Sequence, residues 1–223
     1  MRGPILSLAA LLLAGTALGQ SVMMPIPKYT STYSYSGAAR GFYFQSPVNF
    51  TVVGLRVPDE KKFGKQNVAL YGLAAKPSGY TPTASDLLFY SAGQPSSAII
   101  PCNVNIKAGQ WFCVLGMCGD ATTSHNSYGN GGFKSSISGG PAVTLTRLTF
   151  SGNLVTTKGI GRLSAASSGS VGRVEVYVKR QDFAMAKDYG AGTTQTPITG
   201  KGQLPLRYTS LDELDGLLHR LRG

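Results

Sequence analysis

Acidic residues are scarce in this chain of 223 residues: ten Asp and Glu stand against 21 Lys and Arg. Between Leu87 and Val174 the single carboxylate is Asp120. Glycoside hydrolysis by paired carboxylates, which sets two acids roughly 5–10 Å apart about the scissile bond, finds little raw material there. A distant pair such as Asp86 and Glu175 meets only if the fold joins them, and no spacing singles it out. Histidine numbers two and cysteine three. A catalytic or structural zinc site draws several ligands from just those residue types, so neither metal nor cofactor is expected. Helical periods between strand-like runs are missing too, which removes parallel βαβ enzymes, and no repeat at a fixed period points to a solenoid or propeller.

Long apolar runs are confined to the beginning. Arg2, the stretch ILSLAALLLAGTAL and the small residues Ala17 and Gly19 around Leu18 follow the order of a cleavable secretory signal, assigned to residues 1–19 with Gln20 as the mature start. An uncleaved N-terminal anchor is the alternative. The apolar run is short for a bilayer span of roughly 20 residues, and no later segment approaches that length, so no transmembrane segment is expected after cleavage. The expected location is secreted, cell-surface or periplasmic.

What is abundant favours strands and turns. The chain has 29 Gly and 12 Pro, only 14% charged residues, and much Ser, Thr, Val and Tyr. About ten short β runs, from KYTSTYSYS to GRVEVYVKR, are separated by turn formers such as Pro77-Ser78-Gly79 and Gly139-Gly140-Pro141. The reading is all-β: an antiparallel β-sandwich or jelly-roll-like domain over 20–186, a flexible linker over 187–208 and a short amphipathic helix over 209–222. Ser210 and Glu213 form a capping box there, and Leu211, Leu214, Leu218 and Leu221 share one helical face. Such a short helix is marginal alone, so the stripe docks on this domain or on a protein partner.

In an oxidising compartment three cysteines predict one disulfide and one free thiol. If SAIIPCNVNIKAGQWFCVLG is a hairpin pairing Asn105 with Gln110, Cys102 stands opposite Cys113, close enough to bridge. Cys113 with Cys118, or three unbridged core thiols, are the alternatives. Trp111 shares the cysteine face and is expected to be buried.

Candidate sites are few. His125 lies in CGDATTSHNSYGNGG with Cys118, Asp120 and Ser124, which invites a nucleophile-and-base reading, but no catalytic signature surrounds them. Asp120, Asn126 and Asn130 lack the acidic density of a calcium loop, so an ordinary long turn is expected. The surface-recognition signal is YTSTYSYSGAARGFYF, in which Tyr29, Tyr33 and Tyr35 are predicted to share one strand face and Tyr43 to join them as ligand contacts. The competing reading is a core face or a cross-strand ladder. The net charge of +11 favours an acidic partner, yet the basic residues are scattered and no nucleic-acid motif holds them, so no nucleic-acid partner is expected.

The runs GFYFQSPVNFTVVGLRVP, NVALYGL and NSYGNGGFKSSISGGPAVTLTRL resemble a pattern in uncharacterised secreted bacterial β-sandwich proteins, over residues 40 to 178. The resemblance implies an extracellular β-sandwich module, carried as a surface or adhesion component, and transfers no catalytic residues. Asn49-Phe50-Thr51 is a glycosylation sequon wherever the secretory pathway attaches such glycans. The expectation is a non-catalytic extracellular binding module for a polysaccharide or cell-envelope polymer. A structural subunit that assembles through the C-terminal helix is second, and a hydrolase third.

Overall fold

A computed structural model describes residues 21–166 and 168–180. The signal segment, the 187–208 linker and the 209–222 helix therefore lie outside the described residues. Chain order begins with β1 (Val22–Met23), β2 (Tyr29–Ser34), β3 (Ala38–Gln45), β4 (Phe50–Arg56) and β5 (Lys65–Leu73). Next come β6 (Leu87–Pro95), β7 (Ile100–Ile106), β8 (Trp111–Gly119), β9 (Ser124–Gly129), β10 (Phe133–Ser136) and β11 (Ala142–Ser151). One helical turn, α1 (Leu154–Thr157), precedes β12 (Arg162–Ala165), β13 (Val171–Gly172) and β14 (Glu175–Arg180). Among the described residues no helix is long and apolar enough to cross a membrane.

The domain is all-β with antiparallel pairing throughout. A small sheet has the order β1-β14-β4-β7, and a larger one runs β10-β11-β3-β8-β5-β6. β12 adds to β11, while β9 continues from β8 and carries β2 on one side and β13 on the other. The two sheets face each other across a core in which Phe50, Val52, Leu55, Val176 and Val178 of the small sheet meet Phe42, Phe44, Val68, Leu70, Phe112 and Val114 of the large one. Phe44 and Phe112 stack at 4.8 Å, with Phe50 5.7 Å from Phe112.

β8 explains why a sandwich needs a further layer here. Alternate side chains of WFCVLGMCG enter different cores: Phe112 and Val114 face the small sheet, whereas Cys113, Leu115 and Met117 face away. A strand buried on both sides reads as a continuous apolar run, as this one does. The second face is covered by the segment carrying α1 and β12, whose Leu154 and Leu163 pack on Tyr71, Leu148 and Phe150. Tyr71 donates to the Gly159 carbonyl at 2.8 Å and Tyr90 to the Leu154 carbonyl at 3.0 Å, so the covering layer is also tied by hydroxyls. Gln66, fully buried, holds the corner between the sheets: it accepts from Val57 N at 2.7 Å and donates to the Pro95 and Ala98 carbonyls.

This layering corrects the expected disulfide. β7 pairs with β4 in the small sheet and β8 with β3 and β5 in the large one, so the KAGQ turn is a crossover between sheets and no hairpin forms. Cys102 packs against the inter-sheet core while Cys113 lies on the far face of the large sheet, and Cys118 points back to the inter-sheet side. All three cysteines are free. The turn expected around His125 is also corrected: Ser124–Gly129 is strand β9.

Thermal melts with and without reductant should therefore coincide to within about 1 °C. A native disulfide contributing about 2–4 kcal/mol would instead separate them by roughly 4–16 °C at this size. Truncating the ring at the centre of the first core, Phe112→Ala, is expected to cost about 3–5 kcal/mol in urea unfolding.

Candidate functional site

β2 is an edge strand held only by β9, and its register decides which tyrosines act together. Tyr29 stands opposite Gly129, but Ser31 stands opposite Tyr128, so Thr30 is the extra residue of a bulge. Directly opposed residues share a face. Tyr33, opposite Asn126, is thus on the side of Tyr128, whereas Thr32 and Ser34, opposite Ser127 and His125, are on the reverse side with Tyr29. Tyr29 confirms it by pairing its hydroxyl with Thr32 Oγ1 at 3.0 Å. The expectation that Tyr29, Tyr33 and Tyr35 share one face fails because a strict period of two does not survive a bulge.

Tyr33 and Tyr35 form the exposed pair. Their rings are stacked at 6.2 Å between centroids, and they remain 42% and 55% exposed. Behind Tyr33 lies Tyr128, 6.2 Å away and only 7% exposed. Arg40 braces both: its guanidinium sits 5.9 Å from the Tyr33 centroid while its Nε donates to the Tyr128 hydroxyl at 3.1 Å. Arg147 covers Tyr128 at 5.7 Å. The result is a row of rings and guanidinium groups in which the outer two rings face water and the inner members fix their position.

Tyr43 does not belong to it. At 3% exposure it lies in the second core, 5.9 Å from the half-buried Trp111, because its position in β3 directs it to the far face of the large sheet. Its assignment as a ligand contact is corrected to a packing role. Tyr29, on the reverse side, instead lies under Arg173, whose guanidinium is 5.9 Å from its ring and is paired with Glu60.

The reverse side also holds His125, the histidine considered for acid-base chemistry. His125 Nδ1 and Ser34 Oγ are 2.7 Å apart, and the Phe63 ring stacks on the imidazole with centroids 3.3 Å apart. Asp120 does not orient the histidine; its Oδ1 accepts from Thr122 N at 2.8 Å and from Thr123 N, closing its own turn. Ser124 is fully buried, and so is nearly all of Cys118. Asn153 ties this turn to the platform: Nδ2 donates to the Asp120 carbonyl at 2.7 Å, and its Oδ1 caps α1 by accepting from Val155 N. Asp59, which shares the His125 neighbourhood, is fixed by Phe63 N, Gly64 N and Ser96 Oγ, and these bonds hold its carboxyl below the usual range against the opposing effect of burial.

Burial holds the His125 imidazole below its ordinary value, outweighing the attraction of Asp59 and Asp120. The sign follows: as pH falls below about 6.5, the unfolded chain takes the proton before the folded one. Stability from the neutral ring is thus complete above that pH and is lost on acidification. The urea midpoint should fall between pH 7.5 and 5.5, and His125→Gln should flatten that dependence; equal slopes in both proteins would reject the assignment.

A family model described as the ParB dimerisation domain matches residues 195–222, a span outside the described residues. No curated protein matches the chain. No solved structure matches it either.

Proposed function

We propose that the chain is a non-catalytic extracellular binding module that holds a glycan or cell-envelope polymer against Tyr33 and Tyr35. The observation that carries this reading is the exposed, stacked tyrosine pair braced from beneath by Arg40 and Tyr128. Most large aromatic side chains of a stable domain are withdrawn from water, and two adjacent rings left in it form a rigid, amphipathic face at little entropic cost. The signal-like residues 1–19 support an extracellular location, and the excess of basic residues favours a polymer bearing acidic groups.

A second reading is self-assembly through the C-terminal leucine stripe, Leu211, Leu214, Leu218 and Leu221. The match of 195–222 to a dimerisation domain favours it. The two readings are compatible, since paired copies would double the number of tyrosine faces offered to a polymer.

Affinity electrophoresis through gels containing soluble polysaccharides tests the first. Tyr33→Ala should weaken retention about fivefold and the double change with Tyr35→Ala tenfold or more, in line with about 1 kcal/mol per ring. Tyr29→Ala, on the reverse side, should leave retention unchanged. Equal retention of all variants would refute the tyrosine platform. Light scattering on residues 20–223 beside a truncation ending at Lys187 tests the second, with loss of association in the truncated chain as the expected result.

A further inference from the structure

Beyond Tyr128 the row of rings ends at a cavity of about 530 Å³ between the turn at 130–132 and the loop at 168–170. Its polar lining comes from Asn130, Thr144, Thr146, Arg147, Ser168 and Ser170, and among the described residues no acidic one contributes. Arg147 differs in its bonding from Arg40, Arg56 and Arg173. Arg56 is paired twice with Glu175, Arg173 with Glu60, and Arg40 donates to the Tyr128 hydroxyl and the Ala39 carbonyl. Among the described residues no hydrogen bond or ion pair reaches the Arg147 guanidinium, and its Nε is shut off from water without an acceptor. The guanidinium lies 5.7 Å from the centroid of the Tyr128 ring.

A half-buried guanidinium loses part of its hydration, and the loss is normally offset by oxygen acceptors. Here the fold keeps the group in place without supplying them. Gly169 lies against it: its φ of +96° favours glycine, and a Cβ at that position would fall 2.8 Å from Arg147 Nη1 and push the guanidinium aside. Lys134, whose Nζ donates to Thr144 Oγ1 at 2.6 Å, adds a second positive charge beside the cavity wall. A guanidinium with open bonding positions, hydroxyl and amide donors around it and no competing carboxylate is matched by a planar or tetrahedral oxyanion.

We propose that this cavity is an anion subsite, in which Arg147 takes the carboxylate or sulfate group of a sugar unit whose neighbours lie on Tyr33 and Tyr35. The inference rests on the polymer-binding reading and sharpens it: the ligand is an acidic polysaccharide. The cavity is larger than an isolated sulfate and within the usual range for a site that holds a small organic ligand. Tyr128 links the two parts, since the same ring supports Tyr33 on one side and Arg147 on the other.

The test uses the full chain and three polymers of one backbone chemistry: dextran, dextran sulfate and carboxymethyl dextran, at fixed ionic strength. Arg147→Gln should weaken retention by both charged polymers at least tenfold and leave dextran unaffected, and Arg147→Lys should fall between. Lys107→Gln, which removes one exposed charge far from the cavity, controls for diffuse attraction and should change retention less than twofold. Sodium sulfate and sodium glucuronate titrated against the wild-type Arg147 guanidinium Nη–H resonance separate the two oxyanions and need no variant. Preferential shifts with one of them name the group. Unchanged retention by Arg147→Gln, equal losses in Lys107→Gln, or a resonance indifferent to both salts would overturn the proposal. If Tyr33→Ala still weakens retention about fivefold in that event, the platform stands without an anion subsite. If the resonance responds but no polymer is held through Tyr33, the subsite stands and the platform fails.

Discussion

The three central strands β3, β8 and β5 carry apolar side chains on both faces, and the rest of the architecture answers to that. One face is closed by the four-stranded sheet through Phe50, Leu55 and Val176; the other by a single helical turn and β12 through Leu154 and Leu163. At about 25 cal/mol per Å² of apolar surface, leaving either face in water would forfeit a large part of the driving force for folding. The chain must therefore leave the large sheet after β6, cross to the small one at β7 and return at β8. Gln66 stands at this crossing with its amide fully used, which is the condition for burying a polar side chain there.

The same layering governs the candidate site. Because both faces of the central strands are committed to packing, the exposed tyrosine pair falls to β2 and its end, beside β9 and past the covered part of the sheet. Their bases are anchored by polar bonds from Asn153 and from Asn126 Nδ2 to the Ala38 carbonyl. Tyr33 lies on β2 and Tyr35 one residue past its end, where its N–H donates to the Ser124 carbonyl at 2.9 Å, so neither ring hangs from a long loop.

Fold class was legible because period-two patterning and turn chemistry are local properties, and runs such as VNFTVVGLRV and AVTLTRLTF carry them openly. β9 was missed because SHNSYG is polar, and its burial comes from neighbours far away in the chain. The error over Cys102 and Cys113 has a different origin. A strand-turn-strand sequence looks the same whether the strands pair or pass to opposite sheets, and only the demand of both faces of β8 for cover distinguishes them. Tyr29 was misplaced by one inserted residue at Thr30. The Arg147 cavity had no sequence signature, since its walls come from three separate segments that meet only in the folded chain.

The free cysteines bear on how the protein can be made. Burial pushes the Cys102 thiol up to about 11 and the other two higher still, so at neutral pH hardly any thiolate exists to attack an oxidant or a disulfide. Folding needs no oxidase to join these residues and no isomerase to correct them. The described domain thus has the same disulfide-free framework in a reducing and in an oxidising milieu.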